Sequence, residues 1–182
     1  FVDVPAAQLV APAYLDAQAA SIDMTRRREP QAYGTQIPED GGTSHFCVLD
    51  ENGMAVACTE TINLEFGSLV CVPGFGFALN NQMDDFTTIP GQANAFGLRQ
   101  SDANLPEPGK RSLSSMSPTM VVRNGQPVMI PGGSGGPRII SATLQCMLNV
   151  RLFGMTPDEA VLAPRFHHQW MPNVLQVDRS WP

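Results

Sequence analysis

The sequence predicts an α+β domain, and three observations carry that reading. Two stretches with period-two patterning flank tight-turn residues, the mark of β-hairpins. The helical patterns stand before and after these runs without alternating with them, so no βαβ unit is expected. The composition suits a packed, loop-rich chain: 182 residues, 43% hydrophobic, only 15% charged, with 16 glycines and 16 prolines.

The elements follow in order. Residues 1–24 carry Ala, Leu and Tyr at helical spacing after Pro5 and Pro12, which predicts one or two short helices. Residues 25–42 are polar and aperiodic and read as a linker or exposed loop. SHFCVLD and MAVACTETI then flank Glu51-Asn52-Gly53 as a hairpin, in one of two registers. A two-residue loop at Asn52-Gly53 sets Thr43 opposite Ile62. A three-residue loop over 51–53, with Gly53 left-handed, pairs Asp50 with Met54 and Thr43 with Thr61. In that second register one face is apolar (Phe46, Val48, Val56, Cys58) and the other carries Thr43, His45, Thr59 and Thr61.

Residues 64–82 suggest further short strands with glycine turns, and 84–112 a long Pro- and Gly-rich excursion of the kind that is functional or disordered. TMVVR-NG-QPVMI is a second hairpin with an Asn-Gly turn. PGGSGGPR leads into an apolar helix, RIISATLQCMLNVRLFG. Thr156-Pro157-Asp158-Glu159 is a capping box with proline at the first helical position, so another short helix follows.

Several function classes lose support. The formal charge is −6 and the only basic runs are Arg26-Arg27-Arg28 and Lys110-Arg111, so a nucleic-acid partner is not expected. No apolar run reaches the roughly 18 residues of a membrane helix. No signal peptide is visible, and a chain beginning at Phe1 reads as a segment of something longer. Cys47, Cys58, Cys71 and Cys146 form no C-x-x-C pair; they read as small buried hydrophobes rather than zinc ligands or disulfides. No metal or cofactor is called for.

For chemistry, G-x-S-x-G is absent, and the adjacent His167 and His168 should point opposite ways, which favours structural roles. GGSGGPR resembles a phosphate loop without the G-K-[ST] ending. Its crowded N–H groups before a helix could hold any anion, including the oxyanion of an acyl transfer, or form a plain turn. Arg111-Ser112-Leu113-Ser114-Ser115-Met116 offers hydroxyls for a carboxylate, or ordinary loop serines. Asn80-Asn81-Gln82-Met83-Asp84-Asp85-Phe86 is costly to bury and suits recognition of an ammonium group. Gly41-Gly42-Thr43 is either a turn or a cleavage site. A cut before Thr43 would free an α-amino group of pKa roughly 7.7–8.0, a base for the threonine hydroxyl.

The motifs Thr43-Ser44-His45-Phe46, Thr61-Ile62-Asn63, Asn80–Phe86, Leu113-Ser114-Ser115-Met116-Ser117-Pro118-Thr119, Gly135-Gly136 and Pro164-Arg165-Phe166-His167-His168-Gln169 fall in the order and spacing of γ-glutamyltransferases. The chain resembles that family, of the N-terminal nucleophile hydrolase type, from about Phe1 to its end. The resemblance implies an αββα sandwich of antiparallel sheets flanked by helices. It implies γ-glutamyl acyl transfer from a glutathione-like compound to water or an amino acid. Thr43 is implied as the nucleophile freed by autocleavage, with Thr61 as its hydrogen-bond partner. Asn63, Gln82 and Asp85 would hold the glutamyl α-amino end, with Asp85 on the ammonium. Ser114 and Ser115 would take the α-carboxylate, Gly135 and Gly136 would form the oxyanion hole, and Phe96 would sit in a lid.

By the same resemblance, residues 1–42 are the tail of a large subunit and 43–182 most of a small one. The rest of the precursor is then a partner, carrying an arginine for the substrate carboxylate. The implied compartment is periplasmic or extracellular. Two other readings stand beside this one: an acylase for glutaryl-type amides, and an unprocessed, non-catalytic fragment.

Overall fold

The computed structural model of the chain describes residues 5–25, 32–36 and 42–181. Two short helices come first, α1 (Ala6–Leu9) and α2 (Pro12–Ala20), the second with proline at its first position as the sequence suggests. Strand β1 (Ala32–Gln36) follows. It corrects the reading of 25–42 as a linker, because it pairs in parallel with β7 (Val174–Val177). A five-residue strand with one bulged pairing leaves too little period-two pattern to see in sequence. That parallel pair also departs from the expected all-antiparallel sheets. Strand β6 (Phe166–His167) completes the sheet, in the order β1-β7-β6.

The main hairpin joins β2 (Thr43–Leu49) to β3 (Ala55–Thr61). Its register is the three-residue one: Thr43 pairs with Thr61 and Leu49 with Ala55. Asp50 decides it. Its carboxylate accepts from the amides of Asn52 (2.9 Å) and Met54 (2.8 Å), while Gly53 is left-handed at φ 83°. Sharing one carboxylate between those two amides stabilises the longer loop. The apolar face of this hairpin is uncovered here, with Phe46 at 47% exposure and Val48 at 54%.

Residues 64–81 hold a single bridge, Cys71 to Ala78, in place of the expected short strands. The second hairpin is present as β4 (Val121–Arg123) and β5 (Gln126–Met129), with Asn124 and Gly125 both left-handed. Helix α3 (Arg138–Phe153) ends on left-handed Gly154. Helix α4 (Pro157–Leu162) carries both halves of the capping box between Thr156 and Glu159. The buried apolar side chains among the described residues are Phe86, Pro137, Ile139 and Ala160, the last three in or beside α3 and α4. The cysteines are all free, but Cys47 and Cys71 are exposed, not the buried hydrophobes expected. Cys47 stands on an edge of the open hairpin and Cys71 in a loop, so nothing covers them.

Candidate active site

The site starts at the open end of the β2–β3 hairpin. The Thr43 hydroxyl donates to Thr61 Oγ1 at 3.0 Å. The Thr61 hydroxyl donates in turn to the carbonyl oxygen of Gly42 at 2.9 Å, and the amide of Asn63 donates to Thr61 Oγ1 at 2.9 Å. The one proton and both acceptor positions of Thr61 are thereby used. A polar relay runs from the Thr43 hydroxyl to the carbonyl of the peptide bond that precedes it. Gly42 has φ 123°, and a Cβ there would lie 3.2 Å from the backbone of Leu64 and Glu65, so no other residue fits unstrained. Gly41 lies outside the described residues.

Asn63 is buried at 5% exposure, and its side-chain amide donates to the Asn81 carbonyl at 3.3 Å. The Asn81 side chain accepts from Leu64, which stitches the next segment to the end of β3. Gln82–Asp85 forms one 3₁₀ turn, which brings positions i and i+3 to the same side. Gln82 Nε2 donates to Asp85 Oδ2 at 2.5 Å. Burial pushes the Asp85 carboxyl above its ordinary pKa; the Gln82 bond pulls it down, and the neighbouring Asp84 charge pushes it up. No cation among the described residues contributes to this shift.

These groups open on a narrow cleft of about 30 Å³. Thr43, Thr61, Asn63, Gln82, Asp85, Ser114, Ser115, Gly136 and Phe96 all line it, nine of the ten residues expected from sequence. Gly135 does not. It borders a separate cavity of about 380 Å³ behind the glycine loop. The carbonyls of Gly135 and Gly136 accept the amides of Arg138 and Ile139 and so start α3. Their own amides find no acceptor among the described residues, and the N-cap Pro137 offers no side-chain cap. A neighbouring open cleft shares Thr61, Gln82, Asp85 and Ser114 and adds Arg111 and Ser112.

Sequence reasoning missed the apolar lining, Met116, Pro137 and Ile139, and the framework of the long excursion. Asn94 Oδ1 accepts from Phe96 and Leu98, both at 3.0 Å, and Asp84 accepts from Ala95 at 3.0 Å. Asn104 donates to the Asp85 carbonyl at 2.7 Å and accepts from Leu113 at 3.0 Å, tying the acidic turn to the serine strip. The available signal was Asn and Asp between Pro and Gly turns, where their side chains replace missing backbone partners. The ring of Phe96 lies on Gly136: a Cβ there would come within 2.8 Å of it. The adjacent histidines divide as expected, His167 buried and His168 exposed.

A threonine hydroxyl is thus aimed through a second threonine at its own preceding carbonyl, beside a half-buried carboxylate, in an α+β protein. The comparisons give the family. The profile described as Gamma-glutamyltranspeptidase matches residues 1–182, and the chain belongs to that family. It is 43% identical to the glutathione hydrolase proenzyme of Escherichia coli over 184 aligned residues, covering 100% of this chain and 32% of that protein. It is 45% identical to the corresponding proenzyme of Pseudomonas aeruginosa, covering 94% of this chain and 31% of that one. The chain thus spans about a third of the length of these curated relatives. A crystal structure of Helicobacter pylori gamma-glutamyltranspeptidase is similar with a TM-score of 0.71 at 49% identity, over 73% of this chain and 72% of that chain.

Proposed function

We propose that the full protein cleaves itself before Thr43 and then transfers γ-glutamyl groups through a Thr43 ester. The relay Thr43–Thr61–Gly42 carries the reading. In self-cleavage the Thr43 oxygen attacks the Gly42 carbonyl carbon, and its proton moves to Thr61 as Thr61 releases its own toward the Gly42 oxygen. The Thr61 hydroxyl, already on the Gly42 oxygen, stabilises the charge that develops there. The C–N bond breaks as the relayed proton is delivered to the Thr43 nitrogen, which leaves as an amine, and water hydrolyses the resulting ester. The freed α-amino group then serves as base for the same hydroxyl.

In turnover the Thr43 oxygen attacks the γ-carbonyl of a glutathione-like amide. The leaving amine takes the proton, and water or an amino acid accepts the glutamyl group. The uncapped amides at Gly135 and Gly136 support an oxyanion role at the start of α3. Of the two, Gly136 has the better access, since it alone lines the cleft. Asp85 supports an ammonium-bearing ligand, because a half-buried carboxylate without a cation gains most from one. That same argument disfavours a glutaryl-type amide, which would leave Asp85 unpaired. Ser114 and Ser115 would take the α-carboxylate.

Residues 1–42 would then be the end of a large subunit and 43–182 most of a small one. The uncovered Phe46–Val48 face supports an αββα sandwich completed by the rest of the precursor. A periplasmic or extracellular site of action goes with this reading. The test uses full-length protein. Wild type should yield a chain with free N-terminal Thr43 by mass spectrometry and hydrolyse a γ-glutamyl anilide. Thr43→Ala should do neither; turnover retained by Thr43→Ala would falsify the assignment.

A further inference from the structure

We propose that His167 and Gln169 are positioning residues that hold Phe96 over the cleft, through a hydrogen-bond relay anchored on α3. The proposal rests on the γ-glutamyl reading above and adds the device that sets the roof of its pocket.

With a neutral His167 ring the relay has one proton arrangement. Gln169 Nε2 carries two hydrogens, and they go to the Phe96 carbonyl at 3.2 Å and the Met171 carbonyl at 3.2 Å. Its Oε1 is then an acceptor, so His167 Nε2, 2.9 Å away, must carry a hydrogen. In the neutral ring Nδ1 is an acceptor: it draws the single Ser141 proton at 2.8 Å, in competition with the Arg138 carbonyl at 3.1 Å. Burial favours that neutral ring by pulling the His167 pKa down; the Gln169 bond pulls it up, and the charges of Arg138 and His168 lower it further.

The far end of the relay is the backbone of a cleft-lining residue, and its near end is fixed to a rigid helix. Gln145, one turn beyond Ser141 on α3, grips Phe166 from both sides: it donates to the carbonyl at 2.7 Å and accepts the amide at 3.1 Å. Pro172 packs on Gly97, where a Cβ would meet it at 3.4 Å. The Phe96 ring then returns to Gly136, at the start of the same helix. The contacts close a circuit from Gly136 along α3, through His167 and Gln169, to Phe96. The helix that presents the Gly136 amide therefore also sets the height of the ring above it.

The test is donor kinetics in full-length protein. Gln169→Asn keeps a neutral amide but shortens its reach. Gln169→Glu keeps the length and replaces the two hydrogens with an acceptor. Both should raise KM for a γ-glutamyl anilide about tenfold, the scale of one lost hydrogen bond at a part-buried carbonyl, with kcat within about threefold. His167→Gln retains a donor toward Gln169 and should keep KM within about threefold, whereas His167→Leu should raise it like the Gln169 variants. Mass spectrometry of the Thr43 terminus runs alongside. A wild type without cleavage or turnover would refute the γ-glutamyl reading itself. Cleaved variants with unchanged KM, a His167→Gln no better than His167→Leu, or failure of both Gln169 variants to mature would each overturn the relay.

Discussion

Replacing Thr61 by valine isolates the polar relay. Valine has nearly the shape of threonine and suits a strand at least as well, so β3 should form unchanged. Two functions vanish with the hydroxyl. The Gly42 carbonyl loses the donor now 2.9 Å away, and the Thr43 hydroxyl loses its acceptor at 3.0 Å. Loss of one donor to a developing oxyanion costs about 100- to 1,000-fold in rate, or about 2.7–4 kcal/mol of barrier. The buried Asn63 also loses the acceptor for its amide, a folding cost of about 1–3 kcal/mol. Self-cleavage of the full-length precursor should therefore slow by at least about 100-fold, followed as conversion to two chains on a denaturing gel. Thr61→Ser keeps the hydroxyl and should cleave within about tenfold of wild type. Cleavage of Thr61→Val at a rate within about fivefold of wild type, in a protein that melts as wild type does, would refute the relay.

Three other outcomes are expected. Gly67→Ala should cost about 2–4 kcal/mol in denaturant unfolding, because its Cβ would lie 2.2 Å from the Leu79 carbonyl oxygen at a φ of 55°. Gly132→Ala forces a Cβ to within 2.2 Å of the His45 ring, which Thr59 holds through Nδ1 at 2.7 Å. The variant should lose about 1–3 kcal/mol and cleave more slowly, since the loop before α3 must shift. Asp85 has a raised folded pKa, so its charge costs stability at neutral pH; that cost is relieved as pH falls through the folded value and is absent below the unfolded one. Asp85→Asn should therefore be no less stable than wild type at pH 7, while its donor KM rises about 10- to 100-fold. In wild type KM should rise on acidification at a pH above the ordinary aspartate range, near 4.

Much of this architecture was legible because it is local. Asn124-Gly125 announces its turn, and Thr156 to Glu159 its cap, through side chains that act within a few residues. The Thr43–Thr61 pair was one of two registers until Asp50 settled it, by bonds to amides that no periodicity reveals. Strand β1 was missed because its pairing partner lies about 140 positions downstream. The cleft residues were visible as family motifs. The asparagines that carry them were not, because Asn94 and Asn104 look like any loop residue until their carbonyl and amide partners are known. The family resemblance paired Gly135 with Gly136 as oxyanion-hole residues; of the two, Gly136 borders the cleft.

The Asp50 turn lies seven residue pairs from Thr43, about 20 Å along the strands, and never approaches the cleft. It nevertheless works as a length gauge for the chemistry. A precursor whose tip closed as the shorter loop would place Thr43 beside Ile62, with every side chain of one strand turned to the wrong face. No intermediate register exists, so the fault would be all-or-none in each molecule. A weakened tip would then yield two populations, one maturing at the normal rate and one never cutting itself. Incomplete maturation with unaltered kinetics in the mature fraction would be its signature.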